Sequence, residues 1–204
     1  MVDEKKVYKT GTTTVGIVTK DAIVLGADMK ATMGNLAIST DATKIYKINN
    51  NLALTFAGSV ADALNLVRYL QNHANLYELE HKKSLSTKSC VTLLSNVLNS
   101  NRGFPYYTQF MVGGSDLKLY TLDVVGGLTE ETKYSCTGSG TELALSVFDS
   151  YYNKNISTKE AINLVQKAVT AAKKRDIYSG GDGIKIVVIS KKGIEELPIR
   201  KYLE

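Results

Sequence analysis

At 204 residues the chain suits one large domain with a substantial core better than two small ones. Its composition, 44% hydrophobic and 22% charged, is that of a globular protein, and no apolar run approaches the roughly 20 residues that cross a bilayer, so no membrane span is expected. The formal net charge of +5 is spread along the chain; the densest basic cluster, Lys173-Lys174-Arg175, falls at an expected helix end where cations suit the dipole, and no concentrated nucleic-acid stripe results.

The first ten residues, Met1 to Thr10, lack the apolar segment of a secretion signal and read as a short leader or pro-segment. Gly11-Thr12-Thr13-Thr14-Val15-Gly16-Ile17-Val18 follows as a first strand, since β-branched side chains suit a pleated surface. Lys20-Asp21 turns the chain into a second strand, Ala22 to Asp28. Gly34-Asn35 marks a turn between two short extended pieces within Met29 to Ser39. Lys44 to Ile48 alternates polar and apolar residues, as a half-buried strand does, and Leu52 to Gly58 is a further strand after Asn49-Asn50-Asn51. The first sixty residues thus read as one compact antiparallel meander.

The period then changes to three and four. Ala63, Leu66, Val67, Leu70, Ala74 and Tyr77 form one face of a long helix that starts near Ser59. A second helix spans about Ser86 to Asn99 and stops at the segment containing Gly103 and Pro105. Strands Thr108 to Gly114 and Leu117 to Leu122 are joined by a tight Ser115-Asp116 turn, and a further strand covers Lys133 to Cys136. Gly138-Ser139-Gly140 leads into a third helix, Thr141 to Tyr152. Ser157-Thr158-Lys159-Glu160 has the form of a capping box and opens a fourth, whose buried face includes Ala161, Val165, Ala168 and Ala172. Strands Ile184 to Ser190 and Ile194 to Ile199 complete the order. Strand blocks separated by helix pairs suit an α+β fold: a four-layer αββα sandwich of two antiparallel sheets flanked by helix pairs, with a helix-covered single sheet as the fallback.

The two cysteines, Cys90 and Cys136, could pair, but one bridge is no disulfide framework, and a reduced cytoplasmic setting is expected. With only His73 and His81 besides, no zinc-like ligand spacing exists and no metal is expected. Neither G-x-S-x-G nor a Walker-type loop is present.

The glycine before the three threonines directs attention to Thr12. A threonine hydroxyl needs a base beside it, and cutting Gly11–Thr12 makes the residue's own α-amino group that base. Its unperturbed pKa is about 7.7 to 8, and a nearby cation favours the neutral, proton-accepting form. Lys44 is a candidate cation and Asp28 a candidate anion to orient it, although each alone reads as a surface charge. Asp28 ends the strand paired with the first, so its nearness to Thr12 is plausible, whereas the sequence says nothing of how near Lys44 lies. Acyl chemistry also needs oxyanion donors, and Gly58, at a strand-to-helix junction, is a candidate. Gly138-Ser139-Gly140 and Asp176 to Asp182 are further glycine-rich polar junctions beside helix ends.

In order, Gly11-Thr12-Thr13-Thr14-Val15-Gly16, Gly26-Ala27-Asp28, Asp41-Ala42-Thr43-Lys44-Ile45, Phe56-Ala57-Gly58-Ser59-Val60-Ala61-Asp62, Gly138-Ser139-Gly140 and Arg175-Asp176 through Ser179-Gly180-Gly181 resemble the proteasome β-subunit family over essentially the whole chain. The short leader resembles the archaeal type. The resemblance implies a pro-segment, residues 1–11, removed autocatalytically at Gly11–Thr12, and a single catalytic domain over 12–204. It implies Thr12 as nucleophile, its freed amine as base, Lys44 tuning the site, Asp28 orienting it, and the Gly58 N–H as oxyanion donor. Ser139, Asp176 and Ser179 match the family's supporting polar network. Thr32 and Val60 match positions whose backbone aligns substrate as an added strand, and Ala31, Phe56 and Val60 match the primary specificity pocket, here apolar.

The same resemblance implies threonine endopeptidase activity without a cofactor. It implies heptameric β rings stacked between α rings in the cytoplasm, acting on unfolded polypeptide delivered by a regulatory ATPase, with neither nucleic acid nor membrane as partner. Two other readings of the residues stand beside it: an unprocessed structural β subunit in a mixed ring, and a small-molecule amidase using the same nucleophile.

Overall fold

A computed structural model describes residues 11–204; the leader expected over residues 1–10 lies outside the described residues. Twelve strands and four helices follow in the order β1 (Thr14–Val18), β2 (Ala22–Asp28), β3 (Ala31–Met33), β4 (Leu36–Ser39), β5 (Ile45–Lys47), β6 (Leu52–Gly58), α1 (Val60–His81), α2 (Thr87–Ser100), β7 (Thr108–Gly114), β8 (Leu119–Leu122), β9 (Leu128–Glu131), β10 (Tyr134–Thr137), α3 (Thr141–Tyr151), α4 (Thr158–Arg175), β11 (Ile184–Ser190) and β12 (Gly193–Glu196). Two five-stranded sheets result, β10-β1-β2-β11-β12 and β5-β6-β7-β8-β9, and every pairing in them is antiparallel.

Three apolar clusters fill the spaces between four layers. Ile23, Leu25, Ile45, Ala53, Met111, Leu119, Val187 and Ile189 come from both sheets and form the middle cluster, so the sheets pack face to face. Leu54, Phe110 and Val112 of the second sheet meet Leu66, Leu70, Leu94 and Leu98 of α1 and α2. Val15, Ile17, Val24 and Ile186 of the first sheet meet Phe148, Val165, Ala168 and Val169 of α3 and α4. The α+β, αββα sandwich read from the order of elements is the observed fold. Among the described residues no helix is long and apolar enough to cross a membrane.

Several boundaries follow from side-chain chemistry visible in the sequence. Ser59 caps α1 by accepting from the Asp62 N–H, Ser86 caps α2, and Ser157 and Glu160 form both halves of a capping box on α4. Each such cap is worth about 1 kcal/mol.

Other expectations need correction. The first sixty residues are not one meander: β1 and β2 enter one sheet, β5 and β6 the other, and β3–β4 forms a separate hairpin. All seven residues of β2 and six of the seven in β6 are buried, so each serves as an inner strand of its own sheet. The first strand begins at Thr14, because Thr12 and Thr13 send their N–H groups to side chains instead. Leu117 belongs to the β7–β8 turn with φ +61°, and the Asp116 carboxylate is engaged by Thr87 at the start of α2. The last strand stops at Glu196, two residues before Pro198, which has no N–H to extend the ladder. Strand β9, in neither apolar nor alternating sequence, was not expected. Cys90 and Cys136 are both free, and they lie in different clusters on opposite sides of the sandwich, which rules out pairing.

Candidate active site

The β1–β2 register pairs Thr14 with Ala27 and so brings Thr13 opposite Asp28. The Thr13 carbonyl accepts from the Asp28 N–H at 3.2 Å, while the Thr13 N–H donates to Asp28 Oδ1 at 2.9 Å. Lys44 arrives from the other sheet, immediately before β5, and its Nζ lies 2.7 Å from the same Oδ1. Neither residue is a surface charge: the side chains of Lys44 and Asp28 are 5% and 0% exposed.

A buried charge is tolerable only when paired and hydrogen-bonded. Asp28 meets that condition fully: Oδ2 also accepts from the Gly180 N–H at 2.9 Å and the Lys30 N–H at 3.3 Å, giving the carboxylate four donors. For Lys44, burial pulls the ammonium below its ordinary pKa, opposed first by Asp28 and then by Asp176.

Thr12 is itself 5% exposed and sits beside a second polar group. Its N–H donates to Ser139 Oγ at 3.1 Å, and the Gly140 N–H reaches its carbonyl at 3.4 Å. Ser139 has one hydroxyl proton and two acceptors in reach, Asp176 Oδ2 at 2.6 Å and the Thr12 carbonyl at 3.3 Å; the shorter, charge-assisted contact takes it. Ser179 also donates to Asp176 Oδ2 at 2.6 Å, which leaves its oxygen to accept from Thr13 Oγ1 at 2.6 Å. Asp176, the C-cap residue of α4, thus holds both serines.

Gly138 fits this packing as no other residue could. Its φ is +97°, and an added Cβ would lie 2.1 Å from the Thr12 carbonyl oxygen and 3.3 Å from Ala57 Cβ, which brings the end of β6 beside Thr12. Next to Ala57, Gly58 has φ +132°, and a Cβ there would strike the Tyr107 carbonyl at 2.1 Å.

The structure therefore gathers Thr12, Asp28, Lys44, Ser139, Asp176 and Ser179 into one network, buried at Thr12, Asp28, Lys44 and Ser179 and opening to solvent at Ser139, with Gly58 at its edge. The Gly11 N–H donates to Thr32 Oγ1 at 3.2 Å, so the expected cleavage site abuts the expected substrate strand. Ala31 lies next to Thr32 in β3, partly exposed. Val60, first residue of α1, is 49% exposed. Phe56 differs from these: it is 3% exposed, stacks on Tyr46 at 5.9 Å, and packs into the cluster under α1 and α2. Among the described residues no group of three His, Cys, Asp or Glu is placed to hold a metal ion.

Some members of the network carried no individual signal in the sequence. The Gly180 N–H is a backbone donor, and only the Gly180-Gly181 pair hinted at it. Thr14, Thr137 and Thr55 form a buried hydroxyl chain, with oxygens 2.6 and 3.1 Å apart, that strand-forming threonines conceal.

Comparison with known proteins places this geometry in a family. Residues 8–189 match the family described as proteasome subunit. Proteasome subunit beta of Methanococcus aeolicus is 47% identical over 197 residues, covering 95% of this chain and 90% of that protein. Proteasome subunit beta 2 of Pyrococcus abyssi is 48% identical over 189 residues, 92% of this chain and 90% of that protein. Proteasome subunit beta of Methanocaldococcus fervens is 46% identical over 200 residues, covering 95% and 89%. The chain belongs to the proteasome subunit family, and within it to the archaeal β type.

Proposed function

We propose that this chain is a threonine-type endopeptidase subunit of a proteasome core particle, made active by hydrolysis of Gly11–Thr12. Residues 1–11 are the pro-segment and 12–204 the single catalytic domain. One observation carries the reading: the buried Asp28 carboxylate grips the Thr13 N–H and the Lys44 ammonium through the same oxygen, one peptide away from Thr12.

In the processed chain the freed Thr12 amine accepts the hydroxyl proton, and Oγ1 attacks the scissile carbonyl carbon. The cation of Lys44 favours the neutral, proton-accepting amine. Negative charge developing on the carbonyl oxygen is met by the Gly58 N–H. The protonated amine then returns its proton to the leaving nitrogen, and water hydrolyses the ester on Thr12. Ser139, held by Asp176, supports the amine, and Ser179 steadies Thr13. Thr32 and Val60 align the peptide as an added strand. Ala31 and Val60 give the primary pocket its apolar character, favouring cleavage after hydrophobic residues, and Phe56, buried against Tyr46, backs it from within the core.

The names of the similar proteins support assembly into a proteasome. Heptameric β rings stacked on α rings in the cytoplasm, with unfolded polypeptide fed by a regulatory ATPase, are part of the proposal and rest on the family resemblance alone. No cofactor enters the proposed chemistry. Co-assembly with an archaeal α subunit, followed by intact-mass measurement, tests the reading. Loss of residues 1–11 together with peptidase activity abolished by Thr12→Ala supports it. A full-length chain that is fully active, or activity that survives Thr12→Ala, overturns it.

A further inference from the structure

Residues 199–203 form a strap that reaches the centre from outside. Arg200 exchanges two backbone hydrogen bonds with Ile184, at 2.8 and 3.0 Å, and its guanidinium donates to Asn163 and Gln166 of α4. Gln166 donates in turn to the Lys201 carbonyl at 2.7 Å, and the Leu203 N–H donates to Thr170 Oγ1 at 3.2 Å. These bonds lay the segment along α4 and deliver the Tyr202 ring under Lys173, whose Nζ is 4.0 Å from the ring centroid.

The Tyr202 hydroxyl then donates to the Gly180 carbonyl at 2.5 Å. That carbonyl also accepts from the Met29 N–H at 2.9 Å, and the N–H of the same Gly180 donates to Asp28 Oδ2. One residue of the loop after α4 is thus held on its carbonyl side by Tyr202 and Met29 and presents its amide to the carboxylate that carries Lys44. Burial and the nearby Asp28 carboxylate raise the phenol well above its ordinary pKa, so it remains a donor through neutral and mildly alkaline pH.

We infer that Tyr202 is a positioning residue for the Asp28–Lys44 pair, acting through Gly180. The inference rests on the function proposed above. Its physical basis is that Tyr202 and Met29 fix the peptide plane that follows Gly180, which limits the φ and ψ rotation of that glycine and so holds the preceding plane, whose N–H points at Asp28. Among the described residues no hydrogen bond joins Tyr202 to Thr12 or to Thr32, so its loss is expected to bear on turnover and not on binding.

The test is Tyr202→Phe in the particle co-assembled with an archaeal α subunit, since phenylalanine keeps the ring over which Lys173 lies and removes only the hydroxyl. Hydrogen exchange by mass spectrometry is read over residues 177–183, alongside kcat and KM for a peptide substrate. Faster exchange confined to that loop, with kcat lowered about three- to tenfold and KM unchanged, is the expected result, on the scale of one hydrogen bond. Unchanged exchange, or faster exchange with kcat unaltered, overturns the inference. So does a raised KM, or a fall in melting temperature with kcat preserved, either of which marks a merely structural role. Thr12→Ala assayed in parallel separates the two readings: activity that survives it removes the proposed function, while the exchange measurement still decides whether Tyr202 holds the loop.

Discussion

Asp28 and Lys44 meet at 2.7 Å across the interface of two sheets, each almost wholly withdrawn from solvent. The pair joins the β1–β2 hairpin of one sheet to the lead-in of β5 in the other, so it is a bond between layers as well as part of the proposed centre. Such pairs are costly to break from one side, because the survivor is left buried and unpaired.

Asp28→Ala is therefore expected to destabilise the isolated subunit by about 3–5 kcal/mol, measured by urea unfolding. Adding Lys44→Met to that variant removes the stranded ammonium and recovers at least about 1 kcal/mol. A double variant no more stable than Asp28→Ala alone would show that Lys44 gains nothing from its partner. Both variants are expected to abolish peptidase activity.

Lys44 also dictates a pH dependence. Burial sets its folded pKa below the ordinary 10.5, so between those values the unfolded chain binds more protons at this side chain than the folded chain does. Its contribution to stability consequently rises with pH through that window. The stability of the native chain relative to Lys44→Met should increase from neutral pH toward pH ~10, followed by urea unfolding at each pH. A difference that stays constant or shrinks contradicts the assignment.

How much of this could be read before folding is itself informative. Asp28 was legible beside Thr12 because a tight hairpin fixes which residues face each other. Lys44 was legible as a type and not as a neighbour, since strands in opposed sheets share no register. Ser139, Asp176 and Ser179 emerged from a resemblance, and their contacts span 127 and 37 residues for Ser139 and 166 for Ser179, distances over which spacing carries no geometry. The Gly180 amide had only its glycine pair to suggest it, for another reason: every residue but proline has an N–H, and only the fold selects one.

Gly138→Ala is expected to cost about 2 kcal/mol or more, combining backbone strain at positive φ with displacement of the Thr12 carbonyl. Chemical unfolding and the extent of Gly11–Thr12 cleavage both report it. Gly103→Ala is the matched control, as an added Cβ there meets nothing within 4 Å. Equal effects at the two positions would remove the special role given to Gly138.

The two thiols offer a check on the layered core. Burial pushes Cys90 up to about 12 and Cys136 higher still, so neither supplies thiolate near pH 8. A thiol reagent at that pH should leave the native subunit unlabelled and label two sites in denaturant. Labelling of the native chain at Cys90 would mean that α2 does not cover the second sheet as described.

The single proton on Ser139 gives the centre a direction. Because Asp176 claims that proton, the serine oxygen facing Thr12 has only lone pairs to offer, and it already accepts the residue's N–H while the peptide bond is whole. A terminus created by cleavage would inherit the same acceptor, so one amine hydrogen would be anchored from the instant of its release. The nitrogen's newly available electron pair would then be steered away from the serine, oriented before any substrate arrives.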